Sequence, residues 1–155
     1  MKQITAVAVL LLAVASAAFI GGGSSVSLSD ADRDAITQVA LDYIDGFYEG
    51  SGVRMKRALH PDLAKRNIVT DRSTRTEVVR NMTAEQLIEV TGQGFGERIA
   101  KKDGRRSDVT ILDVFGEVAS VRIDAMTWID YLHVAKVDEE WKIINVLWEW
   151  RPEEN

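Results

Sequence analysis

The chain contains no cysteine. Disulfides, thiol catalysis and cysteine-ligated zinc are therefore excluded. Histidine is nearly as scarce. His60 and His133 are the only two, and they form no His-x-x-x-His pair. No spacing supports a transition-metal site, and no cofactor is expected. Positive charge is in deficit, with 19 lysines and arginines against 24 aspartates and glutamates, a net charge of -5. An acidic chain does not attract phosphate backbones, so no nucleic-acid partner is expected. The local exception, KKDGRR from Lys101 to Arg106, reads as a solvated basic turn.

What is present is an ordinary globular balance. Hydrophobic residues make up 46% and charged residues 28%, which excludes wholesale disorder. With 155 residues, a single domain is expected. The N-terminus follows a different rule. A lone cation, Lys2, precedes an apolar run from Ile4 to Ala15, and Ala15-Ser16-Ala17 has the small-x-small form of a cleavage site. This order predicts a secretory signal at residues 1–17 and export of the mature chain to a periplasm or the outside. The run falls short of the ~20 apolar residues of a bilayer span. Left uncleaved, it would anchor the chain; once it is removed, no membrane contact is expected. Residues 18–29 read as a Gly/Ser linker, 30–151 as the domain, and 152–155 as a tail.

Within the domain, Ser29 and Asp32 predict a helix start. Ile36, Val39, Ala40, Tyr43, Ile44 and Phe47 then fall on one helical stripe. A second helix spans Val53 to Leu59 and stops before Pro61. Leu63 to Val69 reads as extended, and Asp71 to Asn81 as polar turn. Thr83, with Gln86 three residues on, predicts a capping box and a third helix ending near Gly92. GQGFG follows that helix and precedes no clear one, so it is not read as a phosphate loop.

Strands follow. Asp108 to Phe115 is the first, turning at Gly116-Glu117. As a single strand, Val118 to Val137 would reach ~66 Å, against a radius of gyration of ~14 Å for a domain this size. A bend between Ala125 and Asp130 is therefore required. Asp138-Glu139-Glu140 turns the chain into a last strand, Trp141 to Trp150. The expected architecture is α+β, with N-terminal helices packed on a curved antiparallel sheet of four meandering strands.

DYLHVAKVDEEWKIINVLW, with YIDGFYEG and ALHPDLAKR upstream, resembles the putative lumazine-binding family of the nuclear transport factor 2-like superfamily. The likeness covers roughly Asp30 to Arg151. It implies a cystatin-like cone of sheet and helices around a central pocket, and more about fold than about activity. The superfamily includes ketosteroid isomerase, whose site combines a carboxylate base, a tyrosine and a protonated acid. Counting without gaps, the resemblance puts Tyr43 at the tyrosine position and His133 at the second donor. Asn67 falls at the base, where an amide cannot take a proton from carbon.

Alternation puts Tyr131, His133, Ala135 and Val137 on one face of the third strand, and Ile144, Val146, Trp148 and Trp150 on one face of the last. The alignment makes both sets pocket-facing. Tyr43, Asn67, Tyr131 and His133 are then the expected polar contacts to a small apolar or heterocyclic ligand, and Phe47, Val146 and Trp148 the walls. The alternatives are an isomerase, dehydratase or cyclase with His133, or next His60, as general base, and a partner-binding module with a filled pocket. His133 as a plain core residue, and HPD as local helix termination, also stand open. Asp113 and Asp130 fall at strand positions that can face solvent, and either is a site acid only if buried. Leu132 and Val134, on the opposite face from His133, are expected to cover the sheet by pairing two copies as a homodimer.

Overall fold

A computed structural model describes residues 28–152. The expected signal at 1–17, and all of the linker and tail except Leu28, Ser29 and Pro152, lie outside the described residues. Among the described residues, no helix is long and apolar enough to cross a membrane.

The first helix, α1 (Asp30–Tyr48), starts where the capping residues require. The Ser29 hydroxyl accepts from the Asp32 amide at 3.1 Å and donates to its carboxylate at 2.7 Å. The stripe from Ile36 to Ile44 is buried against the sheet, each large side chain contributing ~1.5–3 kcal/mol by leaving water. α2 (Gly52–Ala58) folds back on α1. There the buried Asp42 carboxylate takes Arg57 at 2.6 Å and Arg54 at 3.1 Å. These donors hold its carboxyl below the usual range, the Arg57 bond most of all.

β1 (Leu59–Thr70) turns through Asp71–Thr76 into β2 (Glu77–Thr83). In that turn the Asp71 carboxylate accepts from Ser73 and from the Thr74 amide, which lowers its pKa to about 2. β2 corrects the reading of residues 71–81 as turn alone. It is a mostly exposed edge strand, so it carries no apolar alternation to detect. α3 (Ala84–Gly92) begins with the expected capping box between Thr83 and Gln86. α4 (Phe95–Asp103) is a second correction, since GQGFG leads directly into it. Gly96 makes the close packing possible: a Cβ there would sit 2.1 Å from the Phe47 carbonyl oxygen of α1. The basic run KKDGRR is the last turn of α4 and the loop after it.

β3 (Ser107–Phe115), β4 (Val118–Ala125), β5 (Trp128–Val137) and β6 (Glu140–Trp150) form the expected antiparallel meander. Asp138 and Glu139 both take positive φ at the β5–β6 turn, the geometry that matches strand twist in a two-residue hairpin. The sheet has six strands in the order β2-β1-β6-β5-β4-β3, and β1 joins β6 in parallel. It is thus mixed rather than purely antiparallel. The helices cover one face, giving an α+β domain.

The faces of β5 are the reverse of those expected. Trp128, Asp130, Leu132 and Val134 point inward, while Tyr131 and His133 are exposed on the outer face. Leu132 and Val134 are each 1% exposed, so the outer interface assigned to them is corrected: they are core. On β6, a bulge against His133 and Val134 inserts Ile144 as an extra residue. Ile143 is buried and Ile144 exposed, while Val146 and Trp148 face inward. Alternation carried across a bulge changes face.

Candidate functional site

Between the helices and the inner sheet face lies a cavity of about 360 Å³, within the range of small-molecule sites. Its wall is largely aromatic: Tyr43 and Phe47 from α1, Phe95 from α4, Trp128 from β5, Trp148 and Trp150 from β6. The rings brace one another edge to face. Phe47 meets Trp128 at 5.8 Å between centroids, and Trp148 meets Trp150 at 4.9 Å. A shallower depression of about 1090 Å³ adjoins it and shares Phe95, Arg98, Ile99 and Trp150. It opens to solvent.

A polar cluster sits at the inner end. Asp130 is completely buried, and three donors converge on its carboxylate. Trp128 Nε1 donates to Oδ2 at 2.6 Å. Lys65 Nζ and the Tyr43 hydroxyl both donate to Oδ1, at 2.8 Å and 3.2 Å. Lys65 also donates to the Tyr43 oxygen at 2.5 Å, and its ammonium lies 4.9 Å from the centre of the Trp148 ring. Burial pushes the Tyr43 phenol well above its usual range, and the Asp130 charge adds to the shift. Burial pulls the Lys65 ammonium down, opposed by Asp130.

This arrangement limits the chemistry. An ammonium has three N–H donors, and two of those on Lys65 are spent inside the cluster. One remains unspent, and Lys65 lines the aromatic cavity. Asp130 is shielded by its three donors, so the cluster offers the cavity one donor and no free base.

Tyr43, Phe47 and Trp148 line the cavity. Asn67 lies next to it on the inner face of β1, 2% exposed, with Oδ1 accepting from Arg80 Nε at 3.3 Å. Val146 is fully buried core. Tyr131 and His133 are not brought into the site. His133 lies on the outer face with Nδ1 3.3 Å from Asn145 Nδ2. His60 is spent locally, its Nδ1 accepting from the Asp62 amide at 3.1 Å, the turn geometry HPD suggests. Neither imidazole reaches the cavity. Asp113 is exposed, whereas Asp130 meets the burial condition set for a site acid.

Sequence reasoning missed Lys65 and Trp128 as site residues, and the rim residues Arg80 and Arg98, and named Asp130 only on condition of burial. A signal existed for Trp128 and Asp130. Trp128, Leu132 and Val134 make the more apolar face of β5, and Asp130 shares it. Arg80 lies in an unpatterned polar stretch and had none.

Residues 31–149 match the family described as "putative lumazine-binding". The chain belongs to that family. Solved structures show the fold of this putative lumazine-binding domain more widely. An NTF2-like protein of unknown function from Methylobacillus flagellatus KT aligns with TM-score 0.60 at 23% identity, over 83% of this chain and 98% of that one. One from Silicibacter pomeroyi DSS-3 aligns with TM-score 0.60 at 13% identity, over 78% and 97%. An NTF2-like protein with a cystatin-like fold from Novosphingobium aromaticivorans aligns with TM-score 0.58 at 12% identity, over 80% and 84%. No curated protein matches. At these identities the structures establish fold alone.

Proposed function

We propose that the chain is an exported small-molecule-binding protein that holds a planar aromatic or heterocyclic ligand in its cone. The carrying observation is an open aromatic cavity with one unspent donor, from Lys65, at its inner end. Stacking on Trp148 and Phe47 would supply affinity, and the donor would orient an acceptor atom of the ligand. The family description makes lumazine the natural first ligand. Both histidines lie away from the cavity, so a histidine-dependent isomerase, dehydratase or cyclase gains no support. An open cavity likewise disfavours a module with a filled pocket.

Lumazine titrated into the mature protein should change tryptophan fluorescence saturably, because Trp128, Trp148 and Trp150 border the cavity. Val90→Phe narrows the cavity from α3 and should weaken binding with the fold retained. Binding that Val90→Phe leaves unchanged would place the ligand elsewhere.

The homodimer remains part of the reading, with the contacting residues revised. Exposed Phe115, Tyr131, Ile144 and Leu147 support pairing through the outer sheet face. Sedimentation should give a dimer that Leu147→Lys dissociates, and a monomer at high concentration would contradict it. Export rests on Lys2, the apolar run and Ala15-Ser16-Ala17. The mass of the secreted chain, beginning at Ala18, tests it.

A further inference from the structure

We infer that the cavity selects an aromatic anion: a planar ring bearing a carboxylate, or a heterocycle acidic enough to be charged at neutral pH. The inference rests on the pocket-binding reading and narrows its ligand class. Among the described residues, three cations, Lys65, Arg80 and Arg98, line the cavity, and no aspartate or glutamate does. That is a local reversal in a chain of net charge -5.

Lys65 is matched by Asp130. The two guanidiniums are not matched. Arg80 spends Nε on the Asn67 carbonyl, and Arg98 spends Nη1 on the Gln93 backbone carbonyl at 3.0 Å. Among the described residues neither makes an ion pair; Arg33, Arg66, Arg72, Arg75 and Arg105 make none either, and Arg80 and Arg98 differ from those in lining the cavity. The Arg98 guanidinium also lies 5.4 Å from the centre of the Phe95 ring, which holds it at the mouth. Among the described residues, the Asn67 amide nitrogen, beside Arg80, is a further buried donor without a partner.

The charged side chains that line the cavity are therefore all donors, and its amides, Asn81 and Gln93, are neutral. A cationic ligand would meet like charge and no free carboxylate. A neutral arene would fill the walls and leave both guanidiniums unanswered. An aromatic anion satisfies both, with its ring on Trp148 and its charge toward Arg80 and Arg98, as guanidinium–carboxylate recognition favours.

The test uses three probes of one shape: 2-naphthoate, 2-naphthamide and 2-naphthylmethylammonium, titrated calorimetrically into the mature protein. The naphthoate should bind at least about tenfold tighter than the amide, the ammonium weakest, and the gap should narrow with added salt. Arg80→Gln and Arg98→Gln should each shrink that preference, and the double variant should abolish it while amide binding persists. Equal affinity for naphthoate and naphthamide would overturn anion selection and leave the pocket reading standing. A preference intact in the double variant would overturn the assignment to these arginines. Binding of none of the three would remove both readings.

Discussion

The two faces of β5 differ more than their sequences suggest. Trp128, Asp130, Leu132 and Val134 enter the core, and one strand position away Tyr131 and His133 meet solvent. By residue type the outer pair looks the more functional, an imidazole beside a phenol. The inner set holds the carboxylate that organises Lys65, Tyr43 and Trp128. Chemical potential is a property of position as much as of residue type. A buried carboxylate with three donors orders the inner cluster, whereas His133, exposed beside Asn145, borders only a separate open depression of about 300 Å³ on the outer face.

The largest expected effect lies on the inner face. Asp130→Ala leaves the Lys65 ammonium buried without its partner, and should cost about 3–5 kcal/mol in urea unfolding. Replacing the pair together, as Lys65→Met with Asp130→Leu, should recover much of that loss. Equal instability of single and double variants would show that the charges are not coupled. Leu132→Ala should cost about 2–5 kcal/mol, as cavity creation in a packed core does. His133→Ala should change stability by no more than about 0.5 kcal/mol, a surface value. Matched losses at Leu132 and His133 would erase the difference between the faces.

A smaller effect concerns pH. The folded Tyr43 phenol titrates well above its usual value of 10.0. Its contribution is fully present below pH 10 and is lost as the pH rises further, because the unfolded phenol ionises first. Lys65 has the opposite sense: its folded value is lowered from 10.5, so its contribution rises with pH up to about 10.5. Tyr43→Phe should therefore lose less stability above pH 10 than the unaltered chain. In a spectrophotometric titration, Tyr43 and Tyr48, both raised by burial, should ionise with unfolding rather than before it. Early ionisation of all three tyrosines would contradict the burial. Thr83→Ala should cost about 1 kcal/mol through loss of the α3 cap.

Much of the fold was legible because its signals are local. Ser29, Thr83 and Gln86 mark helix starts, the 3.6-residue stripe marks α1, and the turns at Gly116 and Asp138-Glu139 mark the meander. β2 and α4 were not legible, since an edge strand needs no apolar alternation and α4 lacks a side-chain cap. Part of the cavity lining was legible. Tyr43, Phe47 and Trp148 line it; Phe47 follows the helical stripe, while Tyr43 and the pocket face of Trp148 came from the family resemblance. Tyr131 and His133 failed because ungapped counting chose the wrong face of β5, and β6 carries a bulge that parity does not survive. Lys65 escaped, and Asp130 was named only on condition of burial, because their pairing joins β1 to β5 across β6, a contact that no local pattern encodes.

The most direct measurement is a crystal structure of the mature protein with 2-naphthoate. The ring should lie beside Trp148 and Phe47, its carboxylate should face Arg80 and Arg98, and His133 should be bare. A ligand on the outer face at His133, or an empty cavity at saturating naphthoate, would contradict an inner-face site.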